Sequence, residues 1–123
     1  MTTHFAQKRS ELRHGYVELG KALPDVMAGF GALHRAAVAD GELSHTTKEL
    51  IALAIGVAAR CEGCIALHVN AALKAGATHG QIHEALGVAV LMGGGPASVY
   101  ATEALVALEQ FSAGTESPDT PGN

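Results

Sequence analysis

Residues 44–76 read SHTTKELIALAIGVAARCEGCIALHVNAALKAG and carry two helix patterns in direct succession. In the first, apolar residues recur at the i, i+3, i+4, i+7 spacing of one helix face, after Ser44 as the N-cap. The second begins at the Cys61–Cys64 segment and ends at Gly76. These two neighbouring patterns predict an antiparallel helical hairpin that carries a CxxC site.

The rest of the chain also has helical periodicity and contains no run of alternating β-branched residues. Further helices are predicted from Phe5 to Lys21, from Pro24 to Asp40, from a capping box at Thr78–Gln81 onward, and from Pro96 to Phe111 after the glycines at 93–95. A length of 123 residues suits one domain. We therefore predict an all-α, compact bundle of about six helices over residues 1–111, followed by a flexible polar tail over 112–123.

Composition and charge exclude several classes of protein. The net charge is −4 and the basic residues are scattered, which argues against a nucleic-acid-binding surface. The N-terminal residues lack the pattern of a secretory signal, and the apolar runs are shorter than the ~20 residues of a membrane span. We expect a soluble, cytoplasmic protein that binds neither nucleic acid nor membrane.

The segment Leu86–Met92 reads LGVAVLM and has no polar face. A helix that is apolar all round must be buried on every side. In so small a domain a second subunit is the expected cover, which predicts a homo-oligomer. The alternative is a central helix that is wrapped by its own neighbours.

Cys61 and Cys64 are the only cysteines in the chain, and they are spaced i, i+3 at a predicted helix start. This spacing lets the two sulfurs form a disulfide, and a helix N-terminus favours the reactive thiolate. In a reducing compartment such a pair indicates catalysis or metal binding more than a permanent bridge. The alternative is two buried, inert cysteines.

His68 lies on the same helix face as the two cysteines, and histidine is a common proton donor and acceptor in catalysis near neutral pH. Glu49 comes level with His68 if the hairpin is antiparallel, and could then orient the imidazole. The alternative for His68 is a core histidine that is hydrogen-bonded to a backbone carbonyl. The alternative for Glu49 is a solvated acid in the first turn of its helix.

Two metal sites are weaker alternatives. His79 and His83, spaced i, i+4 beside Glu84, lack an evident third ligand and suit a solvent-facing helix start. Cys61, Cys64 and His68 could bind zinc without turnover, although a structural site needs four ligands. A non-catalytic zinc- or partner-binding oligomer, or an assembly scaffold with incidental thiols, therefore stays the alternative to an enzyme. We predict no cofactor and no resident metal.

The register Glu49, Cys61, Cys64, His68 resembles the motif of the alkylhydroperoxidase D type proteins, within the carboxymuconolactone decarboxylase-like family. The similarity extends from about Leu43 to Leu108. Some members carry a His where this chain has Gly63. The decarboxylase branch lacks the cysteine pair, so the resemblance implies thiol chemistry rather than lactone chemistry.

The resemblance implies a thiol-dependent hydroperoxide reductase, an alkylhydroperoxidase-like oxidoreductase of the peroxiredoxin type. Cys64 would be the peroxidatic and Cys61 the resolving cysteine, with His68 and Glu49 as a proton relay. The partners implied are a hydroperoxide substrate and a dithiol or lipoyl-type reductant protein. A homotrimer, or a hexamer of paired trimers, is the implied assembly.

Overall fold

The computed structural model describes residues 4–113, which form five helices and no strand. The helices are α1 (Phe5–Ala22), α2 (Pro24–Val38), α3 (His45–Ala58), α4 (Glu62–Lys74) and α5 (His79–Ser112). The predicted all-α class is confirmed. The helix number is five rather than six, and residues 114–123 of the predicted tail lie outside the described residues.

Local capping fixes both ends of the α3–α4 hairpin. The Ser44 hydroxyl accepts a hydrogen bond from the Thr47 N–H (3.1 Å) at the start of α3. At the end of α3, the Cys61 N–H donates to the Gly56 carbonyl (2.9 Å), and Arg60 has φ 59°. This is a Schellman-type cap in which arginine occupies the left-handed position that glycine usually takes. The chain therefore reverses within three residues.

Helices α3, α4 and α5 enclose the core, and α4 runs antiparallel to α3. The packed side chains include Leu53, Ile65 and Leu108, all of them buried. Gly56 permits the close approach of α3 and α4, because a Cβ built at this position would lie 2.8 Å from the Cys64 Cβ. The cysteine pair is thus held directly against α3.

The glycines at 93–95 bend α5 without ending it. Gly94 has φ 70° and ψ −151°, a conformation open to glycine, and the helix continues through Pro96. The predicted break is therefore a kink between two helical pieces, and this accounts for five helices instead of six. α5 is long and apolar enough, by length and composition, to cross a membrane. However, the kink divides it into two pieces that are each shorter than the ~20 residues of a span, and both pieces contribute side chains to the core.

Much apolar surface stays exposed in the single chain. Val88, Leu91 and Met92 of α5 are 57%, 78% and 76% exposed, whereas Leu86 and Ala89 are buried, so the chain's own neighbours cover only one face of this segment. No residue of α2 is buried, and Tyr16 of α1 is also exposed. An uncovered apolar face of this kind is typical of an interaction surface. The homo-oligomer stays a prediction.

Candidate active site

Cys61 and Cys64 form a disulfide at the first turn of α4, with their Cα atoms 5.2 Å apart. Cys61 is the N-cap residue, and its sulfur accepts a hydrogen bond from the Cys64 N–H (3.1 Å). The helix N-terminus supplies a partial positive charge here, which stabilises a thiolate on a reduced cysteine. The spacing that predicted a redox-competent pair therefore places the two sulfurs within bonding distance.

Glu49 and His68 meet across the hairpin. The His68 Nδ1–H donates to Glu49 Oε1 at 2.7 Å, and the Glu49 side chain is 2% exposed. The alternative of a solvated first-turn acid is therefore wrong, because the antiparallel register buries this carboxylate against α4. With Nδ1 engaged, the neutral imidazole keeps Nε2 as the nitrogen that can take a proton.

A third residue, His45, also contacts the buried carboxylate. Its Nε2 lies 3.8 Å from Glu49 Oε2, and its Nδ1 bonds to the Val38 carbonyl oxygen at 2.7 Å. This contact was not predicted from the sequence, although the sequence contains a signal for it. The signal was the i, i+4 spacing of His45 and Glu49 on α3, which places both side chains on one helix face.

A cavity of about 430 Å³ opens between α1, α2 and α4, beside the disulfide. Its lining includes Cys64 and His68, whereas Cys61 is not part of it. The His34 ring of α2 lies edge-on to the His68 ring, with the centroids 6.4 Å apart. The complete lining consists of Arg13, Tyr16, Met27, Phe30, Gly31, His34, Cys64, Leu67, His68 and Ala71.

Gly63, between the two cysteines, faces α1 rather than open solvent. A Cβ built at this position would lie 3.0 Å from Leu12 Cδ1. The space that a side chain at position 63 would take is therefore occupied by Leu12. In this chain α1 covers that side of the CxxC turn, and the cavity reaches the turn at Cys64.

The remaining histidine pair lies apart from this site. His79 and His83 are both exposed at the start of α5, and His79 Nε2 bonds to the Ser112 hydroxyl at 2.9 Å. Within residues 4–113, no group of three or more His, Cys, Asp or Glu side chains is arranged to hold a metal ion. The contacts of His79 are those of a solvent-facing helix start.

The chain is similar in sequence to known proteins. The family described as "Carboxymuconolactone decarboxylase family" matches residues 24–107. An uncharacterised protein of Cupriavidus necator is 37% identical over 113 residues, which cover 92% of this chain and 100% of that protein.

Two solved structures resemble the fold. The apo crystal structure of a carboxymuconolactone decarboxylase family protein from Legionella pneumophila superposes with a TM-score of 0.85 at 44% identity, covering 88% of this chain and 96% of that one. A family protein from Thermotoga maritima, for which a part in the antioxidative response has been suggested, gives 0.68 at 28% identity, covering 80% and 91%. With the family match spanning both the hairpin and the cysteine pair, the chain belongs to the carboxymuconolactone decarboxylase family.

Proposed function

We propose that this chain reduces hydroperoxides with the Cys61–Cys64 dithiol, assisted by a Glu49–His68 proton relay. The observation that carries the proposal is the 2.7 Å contact between the buried Glu49 carboxylate and His68, on the same helix as a disulfide-forming CxxC. A nucleophile beside a base that is oriented by a third group is the arrangement of covalent catalysis. The antioxidative role suggested for the Thermotoga maritima relative is in line with this chemistry.

Cys64 is the cysteine proposed to attack the peroxide, because it lines the cavity together with His68. Its thiolate displaces an alkoxide from the hydroperoxide and becomes a sulfenic acid, so the sulfur is oxidised and the O–O bond is broken. His68 Nε2 first takes the thiol proton and then returns it to the leaving alkoxide, giving an alcohol. Glu49 stabilises the imidazolium that forms between these two steps.

Cys61 is the proposed resolving residue. Its thiolate attacks the Cys64 sulfenic acid, forming the disulfide and releasing the hydroxyl group as water after protonation. The overall reaction converts one hydroperoxide and two thiols into one alcohol, one water molecule and one disulfide. A dithiol or lipoyl-type reductant protein would then restore both thiols by thiol–disulfide exchange.

The test is oxidation of the reduced wild type, Cys61→Ser and Cys64→Ser by a stoichiometric hydroperoxide, followed by intact-mass spectrometry with a sulfenic acid trap. We expect an intramolecular disulfide in the wild type and a trapped sulfenic acid on Cys64 in Cys61→Ser. A sulfenic acid on Cys61 in Cys64→Ser, with none in Cys61→Ser, would reverse the assigned roles. Stoichiometric zinc with thiols that do not respond to peroxide would support the non-catalytic alternative instead.

Assembly and location are part of the same proposal. We propose that the exposed apolar surface of α5 binds further copies of the chain, in the trimer or hexamer that the family resemblance implies. We also place the protein in the cytoplasm, where a dithiol reductant would keep the cysteine pair reduced.

A further inference from the structure

We propose that the hydroperoxide reduced at this site carries a carboxylate, bound by Arg13, on an apolar body that lies in the cavity between α1, α2 and α4. This inference rests on the proposed peroxidase function and names its substrate class, a fatty-acid hydroperoxide.

The Arg13 guanidinium is an available cation in the cavity wall. Arg13 is half-buried on α1 and makes no hydrogen bond or ion pair with any other residue in the described range. The nearest acids along α1 are engaged elsewhere, since Glu11 bonds to Gln7 and Glu18 to Lys21. A guanidinium in this position can bind a carboxylate with two parallel hydrogen bonds.

The rest of the wall suits an apolar body. Tyr16 of α1 and Phe30 of α2 stack at 6.3 Å between ring centroids, and Met27, Leu67 and Ala71 add further apolar surface. A mostly apolar cavity with a few polar groups is the usual form of a small-molecule site. A volume of about 430 Å³ far exceeds the ~30 Å³ that a water molecule takes in the liquid, so hydrogen peroxide would fill little of it.

The reacting groups and the cation share one cavity. Cys64 and His68 lie on its α4 side and Arg13 on its α1 side, so one molecule can contact all three. The peroxide group would then face the Cys64 sulfur while the carboxylate pairs with Arg13. The carboxylate is unchanged by the reaction, in which the O–O bond is cleaved and the cysteine pair is oxidised.

The test compares linoleic acid hydroperoxide with its methyl ester, using stopped-flow oxidation of the reduced full-length chain. We expect the acid to react at least about tenfold faster than the ester, the ratio that one charge-assisted hydrogen bond provides. Arg13→Gln should remove this ratio by lowering the rate with the acid to the rate with the ester. Lys21→Gln, a change to an exposed cation on the same helix, is the matched control and should keep the ratio.

Each outcome bears on one claim. Equal rates for acid and ester in the wild type, or a ratio that persists in Arg13→Gln, would overturn the carboxylate site while the peroxidase function stands. A cysteine pair that no hydroperoxide oxidises would instead overturn the proposed function itself. Octanoate, which has a carboxylate but no peroxide, should slow oxidation by linoleic acid hydroperoxide in the wild type but not in Arg13→Gln. If it slowed only re-reduction by dihydrolipoate, the cavity would be assigned to the reductant and this inference rejected.

Discussion

Replacing Glu49 by glutamine separates charge from shape in the proposed relay. The glutamine keeps the length and an oxygen for the His68 Nδ1–H, but removes the negative charge that stabilises an imidazolium. Because Glu49 is buried, solvent provides little compensation for that loss. The peroxide-oxidation rate of the cysteine pair should therefore fall, while the fold is retained.

The size of the effect follows from the geometry of this contact. A hydrogen bond to a charged partner, here 2.7 Å long, contributes about 1.5–3 kcal/mol. At 1.36 kcal/mol for each factor of ten, this corresponds to roughly a 10- to 150-fold slower reaction. Only the upper part of this range reaches the lower end of the roughly 10²–10⁴-fold that positioned acid–base groups contribute, as expected for a residue that acts through His68.

The assay is stopped-flow oxidation of reduced protein by excess hydroperoxide, with urea unfolding of each variant as a check on folding. Glu42→Gln, a change to an exposed acid just before α3, is the matched control and should react like the wild type. His68→Asn should slow oxidation to a similar degree, and the double variant should lose little more than either single one, since the two residues act as a unit. A Glu49→Gln variant that is folded and reacts at the wild-type rate would refute the relay.

Three further predictions concern packing, assembly and charge. Gly56→Ala should lower the free energy of unfolding in urea by about 1–3 kcal/mol, because its Cβ would lie 2.8 Å from a carbon of α4. Gly29→Ala, with no atom within 4 Å of its Cβ, should not lower it. Equal unfolding free energies for the two variants would contradict the close packing of α3 on α4. Leu91→Glu should reduce the particle mass in sedimentation velocity, since it places a charge on the exposed apolar face of α5; an unchanged mass would contradict that interface. Burial raises the pKa of Glu103 above its ordinary value of 4.5, and the negative charge of Glu62 raises it further. The native state therefore holds this proton more tightly than the unfolded chain, and stability is lost as the pH rises above 4.5 through the raised pKa. Glu103→Gln should consequently increase the free energy of unfolding more at pH 7.5 than at pH 4. An equal increase at both pH values would contradict a raised pKa of Glu103.

The sequence predicts the α3–α4 hairpin and its site because both depend on neighbouring residues. The cap at Ser44 and the periodic apolar positions define the helices, and the short connection at Arg60 permits essentially one antiparallel packing. In that packing Glu49 and His68 lie at the same height on facing helices, so their contact is predicted from the hairpin alone. Local patterns and one tertiary contact are enough for this half of the site.

The other half depends on how α1 and α2 lie against α4, which no local pattern encodes. Arg13, Tyr16 and His34 reach the cavity from two helices that bury few side chains, so their apolar periodicity does not identify a partner face. The predicted break at the glycines is present at Gly94, where φ and ψ are not helical, but it is a kink inside α5 and does not separate two helices. The glycines and Pro96 do disrupt regular helix geometry, but the helix resumes at once because both pieces pack against the same core.

The two sulfurs of one helical turn have different surroundings, and this difference suits the two proposed steps. Cys61 is the N-cap, where the hydrogen bond from the Cys64 N–H stabilises its thiolate. A stabilised thiolate is both a ready attacker of a sulfenic acid and a good leaving group when a dithiol reopens the disulfide. Cys64 lines the cavity beside His68, so a peroxide meets this sulfur together with a proton donor. A CxxC motif alone does not distinguish its two cysteines, whereas the α1–α2–α4 cavity does, by enclosing only one of them.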